Sequence, residues 1–198
     1  MWSSFLKRPM DIIVAALAIM LLSPLLGALA ILIKVDSRGP ALFRQGRLGK
    51  GFRPFLIYKF RTMAVGAPGP DVTALGDPRI TRIGQVLRKY KLDELPQLWN
   101  VLRGDMSLIG PRPEVARYVE LFPADFREIL RVRPGMSGPG SVEFRHEDRL
   151  LSESATPERD YVEKILPSKM RLAKEYAIDV TLARVLTLTW RTMKALVS

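Results

Sequence analysis

The sequence predicts an α+β fold: an N-terminal helix–break–helix that re-enters the membrane, then a small cytosolic domain of helices with one short β-hairpin. Three observations predict it. Residues 12–33 are 22 in a row without a charge. Two strand-like stretches, 41–45 and 54–62, flank the glycine-rich Gly46-Arg-Leu-Gly-Lys-Gly51, which is hairpin composition. Much of the remaining chain repeats its apolar residues at helical spacing. The 198 residues therefore divide into a membrane element with its flanks, 1–36, and one membrane-associated domain, 37–198.

Composition narrows the partners. An apolar content of 47% supports a core, and a net charge of +11 with a pI near 10.3 calls for a polyanion: nucleic acid, anionic lipid headgroups or phosphorylated substrates. A chain without cysteine has no disulfide frame, thiol nucleophile or thiolate zinc site. The single histidine, His146, rules out a multi-histidine metal centre, and its charged neighbours in 143–148 predict a solvated side chain. Catalysis here falls to carboxylates and a hard cation.

The first element carries Lys7, Arg8 and Asp11, with Arg8 and Asp11 spaced to pair on one helical face. The apolar run that follows is ~33 Å long as a straight helix, enough to cross a bilayer core. Ser23-Pro24 lies at its centre, where proline removes a backbone donor and biases Ser23 away from helical angles. The Ser23 hydroxyl is placed to satisfy a carbonyl that the break frees. Both flanks are basic: Lys7 and Arg8 before, and eight cations against the single Asp36 between residues 34 and 61. A simple span would export one basic flank, against the positive-inside tendency, so a helix that enters and leaves by the cytoplasmic face is favoured. A cleavable signal peptide ending at Ala28-Leu-Ala30 is disfavoured, because the apolar run continues through Ile33 into a basic chain.

In the second strand Phe55, Ile57, Lys59 and Arg61 share a face that turns from apolar to cationic. Two cations ending a strand either guard an edge or clamp a pyrophosphate. Residues 64–78 form a Gly/Pro loop too short for a domain linker. A helix over 79–91 delivers Arg88, Lys89 and Lys91 to Asp93 and Glu94, adjacent acids that repel unless cations or donors sit beside them. Pro96 opens a helix that runs to about Arg103 and is capped by Gly104, so the acid pair stands at a helix N-terminus. Arg112 follows in the rigid Pro111-Arg112-Pro113 turn. Amphipathic helices near 114–131, a turn at 133–140, an acidic-rich segment 143–163 and a final helix over 178–197 complete the chain. The final helix suits either the membrane interface or a core.

These stretches, in their order, resemble the bacterial sugar transferases, the monotopic polyprenyl-phosphate phosphoglycosyl transferases, in their minimal form. The resemblance runs from Lys7 to about Thr192. It rests on Lys7-Arg8 with Asp11, the apolar run with Pro24, Ser37-Arg-Gly-Pro40, Phe43-Arg-Gln-Gly-Arg47, Lys59-Phe-Arg-Thr-Met63 and Asp77-Pro-Arg-Ile-Thr81. It continues through Leu92-Asp-Glu-Leu-Pro-Gln97, Asn100-Val-Leu, Gly104-Asp-Met-Ser107 and Gly110-Pro-Arg-Pro113. It implies a re-entrant helix and a catalytic domain on the cytoplasmic face of a bacterial inner membrane. The implied reaction is the first membrane step of glycoconjugate assembly. A sugar 1-phosphate passes from a nucleoside diphosphate sugar, usually a UDP-sugar, to a polyprenyl phosphate such as undecaprenyl phosphate. By resemblance Asp93 is the nucleophile that forms an acyl phosphate, and Glu94 assists with metal or proton. Asp93 and Glu94 would hold Mg2+, while Lys59, Arg61, Arg88 and Arg112 would contact phosphate. Membrane lipid is an expected partner and nucleic acid is not. One departure bears on the sugar pocket: many members have Gly-x-x-Gln-Val where this chain reads Gly138-Pro-Gly-Ser-Val142. Two other readings remain, a membrane-anchored basic adaptor whose acid pair only caps a helix, and a glycosyl transferase that moves the sugar alone.

Overall fold

A computed structural model of the chain describes residues 4–69, 73 and 76–197. Its longest element is helix α1 (Ser4–Asp36), which holds Pro9 and Pro24 inside one continuous helical assignment. The expected interruption at Ser23-Pro24 is thus confined to a local defect. Pro24 has no N–H to give the carbonyl of Met20, one turn back, and the Ser23 Oγ donates to that carbonyl instead at 2.9 Å.

One stripe of α1 meets the rest of the protein along nearly its whole length. Ala15, Ala18, Ile19 and Leu22 pack with Leu98, Val101 and Ile57. Further along, Leu26, Leu29, Ala30 and Ile33 pack with Phe60 and Leu87. Both ends carry polar ties. Lys7 Nζ donates to Asp11 Oδ2 at 3.2 Å, and the Ser107 hydroxyl to the same oxygen at 2.7 Å. Arg8, expected to pair with Asp11, instead donates to the carbonyls of Val101 and Leu102 at 2.6 and 3.1 Å, where the last turn of a helix leaves acceptors free. At the other end Asp36 Oδ2 accepts from the Ile83 N–H at 3.2 Å. Away from this stripe α1 exposes Ile13, Leu17, Leu21, Ile31 and Val35, an apolar surface that no protein covers. By length and composition it is the one helix among the described residues able to cross a membrane.

The hairpin forms as the sequence predicts. Strand β1 (Leu42–Leu48) pairs antiparallel with β2 (Pro54–Phe60) from Leu42↔Phe60 to Leu48↔Pro54. Helix α2 (Arg82–Lys89) starts later than the periodicity suggests, because Asp77 turns the chain back on Arg79 and Thr81 caps the helix, its Oγ1 accepting from Gly84 N at 3.0 Å. Gly84 is needed there, since a Cβ would strike the backbone of Thr62. Residues 63 and 80 pair in a bridge that closes the 64–78 loop; its positions 70–72, 74 and 75 lie outside the described residues. Helix α3 (Gln97–Arg103) ends at Gly104 with φ 93, as its sequence predicts. Asn100, fully buried, accepts from Tyr58 N at 3.0 Å and donates to Leu56 O at 2.7 Å, which pins α3 to the hairpin.

A second sheet was not legible. Strand β3 (Ser107–Ile109) pairs in parallel with β4 (Gly135–Ser137), inside the stretch expected to be only a turn. Strands of three residues show no period. Helices α4 (Ala116–Leu121) and α5 (Pro123–Ile129) part at Phe122, before the proline. Then follow α6 (Pro139–Glu143), α7 (Glu147–Ser152), α8 (Pro157–Asp160), a π-helical turn over Tyr161–Ile165, and α9 (Leu166–Ile178). Their apolar faces close a core around Tyr118, Phe126, Tyr161, Leu166 and Met170. Helix α10 (Leu182–Val197) buries Val185 and Leu188, which meets the core expectation, whereas Leu186, Trp190 and Met193 stand exposed.

Candidate active site

The acid pair sits where three elements converge. Lys91 adopts a left-handed backbone (φ 55, ψ 23) and turns the end of α2 into a 3-10 turn over Leu92–Glu94, just ahead of α3. Asp93 and Glu94 therefore project from a fixed corner rather than from a helical face. Strand β2 brings Lys59 to them, its Nζ donating to Glu94 Oε1 at 2.9 Å, and the Pro111–Pro113 turn brings Arg112, whose Nη2 donates to the same oxygen at 2.9 Å. Arg88 of α2 lies alongside, its Nε donating to Thr62 Oγ1 at 2.9 Å.

The two carboxylates are finished differently. Burial pushes the Glu94 carboxyl up, but Arg112 and Lys59 outweigh it and hold Glu94 far below the usual carboxylate range. Asp93 is only 8% exposed and takes no hydrogen bond or ion pair from the described residues. Burial raises it above the ordinary aspartate value, with the Glu94 charge adding to the rise and Lys59 and Arg88 opposing it. Lys59 is itself lowered by burial, against the charge of Glu94. Neither acid receives a backbone N–H, so neither caps a helix.

Arg61 lines the same cleft as the acid pair but also bonds outside it. Strand β2 ends at Phe60, and beyond it the Arg61 guanidinium turns to the end of α1. It donates to Ser37 O at 2.8 Å, to Ile33 O at 3.3 Å and to the carbonyl of Arg38. Helix-end carbonyls without partners attract such a cation. These bonds give Arg61 a structural role beside the expected phosphate contact, since it also lines the cleft described below. His146 is exposed, as its neighbours predict.

The pair opens onto a cleft of about 1260 Å³, lined at this end by Lys59, Arg88, Asp93, Glu94 and Arg112. That is enough room for a sugar nucleotide. A second polar group, which sequence reading missed, lines the same cleft. Tyr161 OH donates to Glu114 Oε1 at 3.0 Å, Arg47 lies 3.7 Å from Glu114 Oε2, and Lys169 pairs with Glu147. Partners 22 to 67 residues apart leave no local signal.

The donor set fits magnesium. Both Asp93 oxygens and Glu94 Oε2 keep free of protein hydrogen bonds, and no group of three acids or histidines stands among the described residues. Magnesium favours one or two carboxylates completed by water and phosphate oxygens.

The chain is similar to known proteins. A family model described as bacterial sugar transferase matches residues 2–198. The UDP-N-acetylgalactosamine-undecaprenyl-phosphate N-acetylgalactosaminephosphotransferase of Aeromonas hydrophila is 52% identical over 146 residues, covering 70% of this chain and 34% of that protein. The UDP-glucose:undecaprenyl-phosphate glucose-1-phosphate transferase of Caulobacter vibrioides is 49% identical over 141 residues, covering 69% of this chain and 53% of that protein. The protein of the same description in Escherichia coli is 41% identical over 142 residues, covering 67% and 30%. The chain thus spans between about a third and a half of the length of these relatives.

Proposed function

The chain belongs to the bacterial sugar transferase family, and from that premise we propose that it transfers a sugar 1-phosphate from a UDP-sugar to undecaprenyl phosphate or a similar polyprenyl phosphate. Related proteins are described by that activity on UDP-sugars. The observation that carries the mechanism is Asp93: a buried carboxylate without a partner, in a cleft whose cations suit a pyrophosphate. An Asp93 oxygen attacks the sugar-bearing phosphorus, the bond to the bridging oxygen breaks, and UMP leaves with the electron pair. Lys59, Arg88 and Arg112 hold the phosphate oxygens and spread the developing charge. The acceptor phosphate then attacks the same phosphorus and frees Asp93. A magnesium ion held by Asp93 and Glu94 would neutralise phosphate charge. Glu94, fixed by two cations, keeps that part of the site in place.

The same proposal includes the membrane. Contacts between α1 and one domain recur from Lys7 to Asp36, which favours both basic ends on that domain's side of the lipid. This supports a re-entrant α1 at the cytoplasmic face of the inner membrane, with Leu186, Trp190 and Met193 of α10 at the interface. The chain lacks cysteine, so Leu6→Cys and Val35→Cys can each be labelled alone. Both should react from the cytoplasmic side; labelling from opposite sides would remove the re-entrant reading.

The decisive assay omits the acceptor. Protein, magnesium and UDP-sugar should release UMP up to one equivalent, and the peptide holding Asp93 should gain the mass of a phosphosugar. Release of UDP would indicate transfer of the sugar alone. No release without polyprenyl phosphate, and no adduct, would mean a single displacement.

A further inference from the structure

Arg88 is held by a single hydrogen bond. Its Nε donates to Thr62 Oγ1 at 2.9 Å, and among the described residues its two terminal nitrogens meet no acceptor. The arrangement follows from the helix. Gly84 and Arg88 are four apart on α2 and so share a face, and a long helical side chain leans back over the turn before it. That turn holds Gly84, which lets the backbone of Thr62 come so close that a Cβ would strike the Thr62 carbonyl. Thr62 is fixed there and only 7% exposed. Its carbonyl accepts from Thr81 N at 3.0 Å, and the Met63–Ile80 bridge follows directly.

The bond also keeps two groups apart. Burial lowers the Arg88 guanidinium, and Asp93 is the acid that most opposes this, yet no ion pair joins them among the described residues. A loose arginine beside an unpaired carboxylate would close on it with both terminal nitrogens, and the nucleophile would be lost to a salt bridge. Thr62, Arg88 and Asp93 all line the cleft. We infer that Thr62 is a positioning residue: its hydroxyl ties Arg88 back by Nε, so that the terminal nitrogens are kept for the sugar-bearing phosphate of the donor and off Asp93. The inference rests on the proposed transfer of a sugar 1-phosphate.

The test uses the full chain in nanodiscs with magnesium, and compares wild type, Thr62→Val, Thr62→Ser, Arg88→Ala and the double variant Thr62→Val with Arg88→Ala. Binding of UDP and of UMP is measured by calorimetry. Turnover is measured with undecaprenyl phosphate and UDP-glucose, UDP-galactose, UDP-N-acetylglucosamine or UDP-N-acetylgalactosamine. UDP carries the phosphate that Arg88 would hold, whereas UMP lacks it and reports an intact nucleotide pocket. Thr62→Val, which keeps the shape and loses the hydroxyl, should weaken UDP and lower kcat/KM about five- to fiftyfold, with UMP unchanged. Thr62→Ser should restore both. In the Arg88→Ala background Thr62→Val should change nothing further, because the two side chains act as one unit. Thr62→Ala makes the same deletion should the valine variant not fold. Unchanged UDP affinity and turnover in Thr62→Val, failure of Thr62→Ser, or parallel weakening of UMP in both variants without the hydroxyl would each overturn the inference. So would losses that multiply in the double variant. A wild type that turns over none of the four donors would instead remove the functional reading, and this role with it.

Discussion

At the two ends of α1, Lys7, Arg8 and Asp11 at the first and Arg61 at the last meet Ser107 and a set of backbone carbonyls. At the cleft, Lys59, Arg88 and Arg112 surround two carboxylates of which only Glu94 is bonded. Both regions bury charge, and both take it from the basic segments that flank the apolar run and the acid pair. In the first, every named side chain bonds a partner, with Arg61 Nε the one buried nitrogen left unmet, and the outcome is a fixed helix. In the second, one carboxylate is left over at the cost of a raised pKa. A fully satisfied polar network specifies structure, whereas a group held unsatisfied is available to a substrate.

The largest test of this contrast is Asp93→Asn. Turnover should vanish, since an amide cannot take up the phosphosugar, while the fold should hold or gain. Because the folded pKa of Asp93 lies above its unfolded value, its favourable contribution exists only below the unfolded value and is lost as pH rises through the folded one. The melting temperature of Asp93→Asn should therefore match or exceed wild type, by more at neutral pH than in acid. A less stable variant at neutral pH would show that the carboxylate has a structural partner after all. Glu94→Gln makes the opposite forecast. Glu94 is depressed, so its stability is present above the unfolded value and lost as pH falls through the far lower folded one; the variant should melt below wild type at neutral pH and converge with it in strong acid.

Next in size is Arg112→Ala, which removes a charge-assisted contact of about 1.5–3 kcal/mol and should lower kcat/KM roughly ten- to hundredfold, and the melting temperature with it, because Glu94 loses its strongest cationic partner. Arg61→Ala should separate the two regions. It removes three bonds to carbonyls at the end of α1, of which Ile33 O keeps the Ser37 N–H, and should cost ~1–3 kcal/mol of stability, while the folded fraction keeps its turnover. An inactive but stable Arg61→Ala would instead make its phosphate contact the role that matters. The smallest effect is in the pH profile: the acidic limb of kcat/KM should have its midpoint above the ordinary aspartate value, because Asp93 must ionise before it attacks.

Legibility followed distance along the chain. Asp93 and Glu94 stood out because adjacent acids within a basic run demand an explanation, and Pro96 and Gly104 bounded the helix beside them. Lys59 was legible from the alternation of β2. Arg61 shares that alternation on paper, but the strand stops at Phe60, and the carbonyls it binds lie 23 to 28 residues back. The β3–β4 pair and the Glu114–Tyr161 bond had no local signature at all. Gly110 and Gly135 in hindsight mark the first of these, since a Cβ on either would collide with the opposing backbone. Ser23 was read correctly as the donor for a carbonyl freed by Pro24, because proline's missing N–H is a local rule.

Arg61 also has a mechanical meaning. It lies two residues, ~7 Å along an extended chain, from Lys59, and it grips the last turn of α1. The keel of the molecule and the floor of its cleft are thus fastened to the same short length of backbone. In the proposed reaction the acceptor drifts in a plane, with its phosphate at headgroup height. The altitude of Asp93 above that plane is then set by how deep the apolar face of α1 floats, with no loose tether between them. A thicker or thinner bilayer would tilt the whole body, and the gap between lipid phosphate and carboxylate would change with the tilt alone.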